Sequence, residues 1–218
     1  MKSSRDQFLD RVRAALGSAA SAPASPLPST ARVAPRAAGD VDAEIDLLLG
    51  EIARLGGTKR RVAGRDELQA ALRDLVQAER VRKATLWQSR ELRDLGISEM
   101  LSELDVEIVP PNAGKRALAE CDLGVTGADA ALPETGTLVL RASPEHSQLV
   151  SLLPRVHLAL VRPSVLRVDL HQVLDEVKGD ARVHFITGPS RTADIEKTLS
   201  IGVHGPKALY VWVYEPGG

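Results

Sequence analysis

Residues 123 to 143 read Leu-Gly-Val-Thr-Gly-Ala-Asp-Ala-Ala-Leu-Pro-Glu-Thr-Gly-Thr-Leu-Val-Leu-Arg-Ala-Ser, and the rest of the chain is best understood around them. The pattern predicts a short buried strand over 123–126, a loop of small and polar residues, and a second strand over 137–140. Gly127 and Gly136 bracket the loop. Because binding groups often lie on polar loops held by a rigid scaffold, we expect this loop to carry function.

The loop contains one carboxylate that is a candidate for catalysis. Glu134 follows a proline and precedes an apolar strand, so it could act as a base, as a nucleophile or as an acceptor for a substrate hydroxyl. The plain alternative is a turn glutamate that pairs with a nearby N–H group or with Arg141. The candidate ligand-binding residues in and beside the loop are Thr126, Gly127, Asp129, Thr135 and Gly136.

Helical and strand patterns alternate on both sides of this stretch. Helices are predicted over 41–55, 66–76, 89–95, 98–104, 113–120, 144–153, 168–177 and 192–199, and strands over 84–87, 106–109, 156–161, 183–186 and 209–214. Short apolar strands separated by helices are typical of an α/β fold, in which layered helices surround a largely parallel sheet. The two strands that flank the loop could also pair as a hairpin, which would make the sheet mixed.

The first 40 residues differ in character from the rest. Residues 4–16 predict an amphipathic helix, and residues 18–39 are rich in Ala, Pro and Ser, which is typical of an extended linker. We therefore predict an N-terminal helix over 1–17, a linker over 18–39 and an α/β domain over 40–218. The helix could fold back on that domain or dock on a partner, and the sequence leaves both open.

Two further polar loops lie near predicted strands. One is Thr187-Gly-Pro-Ser190, and the other is Gly202-Val-His-Gly-Pro206. If residues 192–199 form a helix, the N–H groups at its start favour an anion, although Ser190 could simply cap that helix. The ligand-binding candidates from these loops are Thr187, Gly188, Ser190, Thr192, His204 and Gly205.

Composition excludes several classes of function. The 218 residues carry 28 basic and 29 acidic side chains and only 3% aromatics, which argues against nucleic acid as a partner. No apolar run is long enough to span a bilayer, and the one cysteine, Cys121, indicates a reducing compartment, so we expect a cytoplasmic protein. The five histidines are scattered without metal-binding spacing, so no metal site is expected in this chain.

Four ordered blocks of the sequence resemble one known family. The stretch 124–140 is similar to a signature Gly-Ile-Thr-x-Ala/Cys-Asp-x-x-Ile-Ala-Glu-Thr-Gly-Thr-Ile-Val, and residues 151–157 resemble Leu-Leu-Pro-x-x-His. Residues 186–196 and 202–207 match two more blocks. Together they resemble the lactate-utilisation protein C family, whose members carry a LUD domain. This chain departs from the signature at Ala128 and Pro133, and neither change removes a charged group.

The resemblance implies both a fold and a role. The implied fold is that of the NagB/RpiA/CoA-transferase-like superfamily. The implied role is that of a subunit in a system that oxidises L-lactate to pyruvate, together with lactate-utilisation A and B type proteins. The resemblance places iron–sulfur clusters on those partners, and none on this chain. The expected ligand is a small anion, either a carboxylate or a phosphate.

Two other functions remain open from the sequence. Glu134-Thr-Gly136 is similar to the Glu-x-Gly of CoA transferases, whose glutamate is the nucleophile. The chain could therefore be a stand-alone enzyme that acts on a CoA ester or a sugar phosphate. It could also be a non-catalytic assembly subunit whose N-terminal helix docks on a partner.

Overall fold

The computed structural model describes residues 3–17, 37–180, 182–193, 199–201 and 205–215. The chain divides into two compact units, of which the first holds helix α1 and the second holds all the other elements. Helix α1, Ser4–Gly17, exposes Phe8 and Val12. Most of the predicted linker, residues 18–36, lies outside the described residues, so the three-part division stays a prediction.

Seven helices follow in the second unit as far as it is described. They are α2 (Val41–Arg54), α3 (Gly64–Glu79), α4 (Arg90–Asp94), α5 (Ile97–Ser102), α6 (Lys115–Ala119), α7 (Leu149–Leu152) and α8 (Leu170–Glu176). Helix α2 shows why the sequence forms them. The Asp40 side chain accepts a hydrogen bond from the Ala43 N–H at the start of α2, and Ile45, Leu48 and Ile52 bury one face of it.

The described residues form eleven strands in three sheets. The strands are β1 (Thr58–Ala63), β2 (Lys83–Leu86), β3 (Glu107–Ile108), β4 (Leu123–Thr126), β5 (Ala130–Leu132), β6 (Thr137–Arg141), β7 (Val156–Val161), β8 (Val183–Ile186), β9 (Arg191–Ala193), β10 (Leu199–Ile201) and β11 (Ala208–Glu215). The main sheet has six strands in the order β1-β11-β7-β4-β2-β3, and every pairing in it is parallel. The prediction of an α/β fold around a largely parallel sheet is therefore confirmed.

A smaller sheet of three strands, in the order β5-β6-β8, is antiparallel. The two strands that flank the loop do not form the hairpin that the sequence left open. Strand β4 pairs with β2 and β7 in the main sheet, whereas β6 pairs with the unpredicted strand β5 and with β8. The loop after Thr126 thus carries the chain from the main sheet to the small one.

The two faces of the main sheet are covered by different elements. Trp212, on one face, lines a pocket with Leu75 of α3. On the opposite face, the Leu209 and His157 positions are register partners and line a pocket with residues that follow β8. The small sheet therefore covers the His157 face, which places the end of β8 over the middle of the main sheet.

Gly124, on β4, lets helix α7 approach this same face closely. A Cβ atom on Gly124 would overlap the carbonyl oxygen of Val150 in α7. Gly124 is the register partner of His157, so α7 lies beside the buried histidine. This close packing fixes one wall of the region that carries the candidate site.

Strand β1 was not predicted, and two of the predicted helices differ from the structure. Strand β1 occupies the run Lys59-Arg60-Arg61, which the pattern left outside any strand. The helix predicted over 144–153 is limited to Leu149–Leu152. The helix predicted over 192–199 is wrong at both described ends, because residues 191–193 and 199–201 pair as antiparallel strands β9 and β10.

Candidate functional site

The turn that carries Glu134 is held firmly although two of its three side chains face solvent. It is a single 3-10 turn, Pro133–Thr135, between β5 and β6, and Glu134 and Thr135 are both exposed. Gly136 ends the turn with φ of 62°, and a Cβ there would meet Glu51 of α2 at 3.0 Å. Only glycine suits both the conformation and the space. The turn is therefore seated against α2.

A chain of three hydroxyl groups leads from this turn to the end of β8. The Thr135 and Thr137 Oγ1 atoms lie 2.8 Å apart, and the Thr137 and Thr187 Oγ1 atoms also lie 2.8 Å apart. Each hydroxyl can donate one hydrogen bond and accept others, so the two hydrogen bonds between the three hydroxyls can run in either direction. It ties together two loops that are distant in the sequence.

A pocket of about 460 Å³ opens beside this chain, and we call it the outer pocket. Its lining residues are Leu132, Glu134, Thr135, Thr137, Val168, Asp169, Leu170, Phe185 and Thr187. Most of the wall is apolar, with hydroxyls and two carboxylates at specific points. The Asp169 carboxylate accepts a hydrogen bond of 2.9 Å from the Gln172 N–H at the start of α8, so it also has a structural role.

A second pocket of about 220 Å³, the inner pocket, adjoins the first. Its lining residues are Ser151, Leu152, His157, Phe185, Ile186, Thr187, Gly188, Pro189, Ser190, Gly205, Pro206 and Leu209. Phe185 and Thr187 belong to both linings, so the two pockets share a wall. No lysine or arginine is among these lining residues of the described part of the chain.

His157 is a deeply buried polar residue of the inner pocket. It is 1% exposed, and its Nε2 lies 2.8 Å from the Thr126 Oγ1. Burial lowers the pKa of His157 to about 3, so the ring is neutral at physiological pH. Its Nδ1 has no hydrogen-bond partner among the described residues. The neutral ring therefore makes one hydrogen bond within the described part of the chain, through Nε2, and its Nδ1 is buried.

Two of the predicted ligand-binding residues lie elsewhere. The Asp129 Oδ2 accepts a hydrogen bond of 2.7 Å from the Arg141 N–H, which fixes the entry into the small sheet. A Cβ on Gly127 would lie 3.5 Å from the Glu91 Oε2, and Glu91 pairs with Arg162 at 2.9 Å. Burial raises the pKa of Glu91. The positive charge of Arg162 lowers this pKa, and the negative charge of Asp129 raises it further. These groups form a separate cluster beyond the ends of β4 and β7.

The other predicted residues largely converge. Those that line the two pockets are Glu134, Thr135, Thr187, Gly188, Ser190 and Gly205. Thr126 contacts the inner pocket through His157, and Gly136 seats the turn. Thr192 lies in β9, and His204 lies outside the described residues. The prediction that a helix begins after Ser190, where its N–H groups would favour an anion, is wrong, because strand β9 begins at Arg191.

His157 itself was missed as a site residue. The signal for it was present, since His157 is the one polar residue in the strand Val-His-Leu-Ala-Leu-Val and lies within a block of the family pattern. A lone histidine in a strand is more often a satisfied structural residue, and its free nitrogen could be found only from the packing around it. Phe185, which divides the two pockets, carried no signal of its own.

Two searches of the described residues gave negative results. No group of three or more His, Cys, Asp or Glu side chains within them could hold a metal ion. Similarly, none of the helices in the described ranges is long and apolar enough to cross a membrane. The expectation that iron–sulfur clusters lie on partner proteins is not tested by either result and stays a prediction.

Comparison with known proteins gives consistent matches along the chain. A family model described as the LUD domain matches residues 46–214. A lactate utilization protein C from Shouchella clausii (strain KSM-K16) is 31% identical over 227 residues, which cover 98% of this chain and 99% of that protein. Another protein of that name, from Halalkalibacterium halodurans, is 32% identical over 160 residues and covers 68% and 70% of the two chains.

A solved structure supports the fold. The crystal structure of a DUF162 family protein from Deinococcus radiodurans aligns with 82% of this chain and 100% of its own length. The TM-score is 0.60 and the sequence identity is 18%. At that identity the likeness shows a shared fold and carries no information about the ligand.

Proposed function

We propose a role in lactate utilization for this chain, which belongs to the LUD domain family. The proposal is supported by relatives named lactate utilization protein C, one of which matches along nearly the whole of both chains. In the finer form of the proposal, the chain is a subunit of a system that oxidises L-lactate to pyruvate. Its partners in that system are A and B type proteins that carry the iron–sulfur clusters.

The site of this function is the pair of adjoining pockets. The observation that carries the assignment is the convergence of Thr187, Ser190 and His157 on the inner pocket, beside the Glu134 turn. These groups and the nearby backbone provide neutral hydrogen-bond donors and acceptors. They suit a small oxygen-rich molecule with at most one charge, such as a 2-hydroxy monocarboxylate.

The same lining argues against the phosphorylated ligands. Phosphate groups and CoA esters carry several negative charges, and proteins usually bind them with arginine, lysine or a helix start. The described lining holds no lysine or arginine, Glu134 and Asp169 add negative charge, and strand β9 stands where a helix was expected. The carboxylate is therefore favoured over the phosphate as the small anionic ligand.

Glu134 is proposed to contact the ligand from the outer pocket. Its position on a rigid turn, exposed and beside the hydroxyl chain, suits a carboxylate that accepts a hydrogen bond from a ligand hydroxyl. This role fits the hydroxyl of lactate.

A reconstitution tests the proposal. The full chain is mixed with the A and B type proteins, and L-lactate-dependent dye reduction is followed with and without it. We expect the rate to require this chain and to fall at least about tenfold with Glu134→Gln, which corresponds to one lost hydrogen bond to a charged group. Glu145→Gln is the matched control, because Glu145 is also exposed on a loop but lines neither pocket.

Two outcomes would count against the proposal. Equal rates without the chain would remove it from the oxidation of lactate. A rate that depends on the chain but is insensitive to Glu134→Gln would leave an assembly subunit and would remove the role of Glu134.

A further inference from the structure

A third cavity, of about 650 Å³, is larger than the inner and outer pockets, and we call it the basic pocket. Its lining comes from three parts of the chain, within 111–115, within 142–149 and at Arg182, directly before β8. None of these residues belongs to the lining of the other two pockets. The volume falls within the range of roughly 300–1,000 Å³ that is usual for small-molecule sites.

The basic pocket lies beyond the carboxyl ends of two neighbouring strands of the main sheet. Pro111, which lines it, follows the end of β3. After the end of β2, the Trp87 Nε1–H group donates a hydrogen bond of 3.0 Å to the Ser147 carbonyl, and the Gln88 N–H group donates one of 3.0 Å to the Glu145 carbonyl. Open α/β sheets bind ligands outside the carboxyl ends of their strands, so the pocket has the expected position for a ligand site.

One wall of the basic pocket is held in place by an aromatic stack. The rings of Trp87 and His146 lie parallel, with centroids 4.2 Å apart and an angle of 6° between their planes. Trp87 is buried, whereas His146 lines the pocket. The Ser143 hydroxyl oxygen accepts a hydrogen bond of 3.0 Å from the His146 N–H group. These contacts fix the loop over 142–149 without the help of a ligand.

The charge of the basic pocket is positive and uncompensated. Lys115 and Arg182 line it, and neither is ion-paired to another residue of the described chain. Asp180, which lies two positions before Arg182, is already paired with Arg141 at 2.6 Å. No aspartate or glutamate is among the lining residues that the structure describes, and Glu145 is the one residue of 142–149 outside the lining. Two cations in a cavity without carboxylates favour an anionic ligand.

The neutral groups of the pocket add hydrogen-bond donors. The Gln148 Oε1 atom lies 2.6 Å from the His184 Nε2 atom, which leaves the amide NH₂ group of Gln148 to donate elsewhere. Ser147 contributes a hydroxyl to the lining. A phosphate group carries a charge of about −1.5 to −2 at pH 7 and three strong acceptor oxygens, whereas a carboxylate carries one charge on two oxygens. The two cations and several donors therefore match a phosphate better than a single carboxylate.

We propose that the basic pocket binds a small molecule that carries a phosphate group, with Lys115 and Arg182 as its charge partners. This site is separate from the pair of pockets assigned to lactate, and the inference does not rest on that assignment. The described lining of the inner and outer pockets holds no lysine or arginine. The chain thus offers two classes of anion two different places, with the phosphate at the carboxyl ends of β2 and β3.

Charge-removing variants of the full chain test the proposal. Titration calorimetry measures the binding of glycerol 3-phosphate and of pyrophosphate to the unmodified chain, to Lys115→Gln and to Arg182→Gln. Arg116→Gln is the matched control, because Arg116 is exposed next to Lys115 on α6 and does not line the pocket. We expect each of the two pocket variants to bind both probes at least about tenfold more weakly, which is the effect of one lost hydrogen bond to a charged group.

The control should bind both probes within about twofold of the unmodified chain. Lys115 and Arg182 are both exposed, so their variants should keep the fold, and thermal unfolding verifies this. Citrate serves as an anion of high charge without phosphate, and we expect it to bind at least about tenfold more weakly than pyrophosphate.

Four results would overturn the inference. They are failure of the unmodified chain to bind either phosphate, affinities that do not change in the two pocket variants, an equal loss in Arg116→Gln, and citrate binding as tight as that of pyrophosphate. If phosphate does not bind but the pocket variants slow dye reduction in the reconstituted system, the cations contact a partner protein instead. None of these results bears on the dependence of dye reduction on Glu134, so they are distinct from failure of the proposed function.

Discussion

The hydroxyl oxygens of Thr137 and Thr187 lie 2.8 Å apart, although the two residues are 50 positions apart in the sequence. Thr137 begins strand β6 directly after the Glu134 turn, and Thr187 follows the end of strand β8. This one contact joins the loop that carries the candidate carboxylate to the loop that lines the inner pocket. The position of each therefore depends on the other.

Substitutions at these two threonines should have unequal effects. Thr137 is buried and its hydroxyl contacts two others, whereas Thr187 is exposed. We expect Thr137→Val to lower the free energy of unfolding by about 1–2 kcal/mol, and Thr187→Val by less than about 1 kcal/mol, because water can replace the lost partner at an exposed site. Urea denaturation measures both. Equal losses of unfolding free energy in the two variants would mean that the Thr137 hydroxyl is not shielded from water.

The two glycines Gly124 and Gly50 should respond oppositely to alanine. A Cβ on Gly124 would overlap the Val150 carbonyl, so α7 would have to move and the free energy of unfolding should fall by about 3 kcal/mol or more. Gly50 is exposed in α2 with no atom within 4 Å of its added Cβ. Gly50→Ala should therefore raise the free energy of unfolding by about 0.5–1 kcal/mol.

Thermal unfolding of both glycine variants tests this pair. A Gly124→Ala chain as stable as the unmodified one would show that α7 can shift away from the sheet without cost. In that case the wall beside His157 is not fixed by the close approach at Gly124.

Stability should depend on pH through His157. Burial lowers its pKa from 6.5 to about 3, so between these values the unfolded chain binds a proton that the folded chain does not. The free energy of unfolding should then fall as the pH drops below 6.5, by up to about 1.4 kcal/mol per pH unit from this residue. Urea denaturation at pH 7, 6 and 5 measures the slope, and His157→Gln should reduce it. An unchanged slope in the variant would show that other groups cause it.

Cys121 should resist chemical modification in the folded chain. The pKa of its thiol is raised to about 11, mainly by burial. The negative charges of Asp122, Glu107 and Glu120 also raise the pKa, and the positive charge of Lys83 lowers it. At pH 8 only about one thiol in a thousand would then be ionised, and the side chain is 3% exposed. We expect iodoacetamide to label Cys121 rapidly in guanidinium chloride and at least about a hundredfold more slowly without it. Equal rates would place the thiol at the surface.

The elements that the sequence predicted correctly share a simple cause. Strands β4, β7 and β8 begin and end where predicted, because each is a short apolar run bounded by turn residues. Strand β1 was missed because only Val62 in it is buried, so its cations resemble a solvated loop. It lies at an edge of the main sheet, where charged side chains are expected.

The candidate site was less accessible to sequence reasoning than the fold. Glu134, Thr187 and Ser190 could be selected from local loop chemistry, but their convergence depends on packing between strands that are far apart in the chain. Strand β5 has three residues, Ala-Ala-Leu, which carry no periodicity, so its pairing with β6 could not be predicted. Without that pairing, the displacement of the Glu134 turn from the main sheet could not be predicted either.

The order of the main sheet has a consequence for synthesis of the chain on the ribosome. Strand β11, Ala208–Glu215, lies between β1 and β7, although it follows both in the sequence. Until it leaves the exit tunnel, the nascent chain exposes unpaired edges on β1 and β7. Such edges invite association with other chains, so holding by a chaperone during translation should matter more for this protein than its size alone suggests.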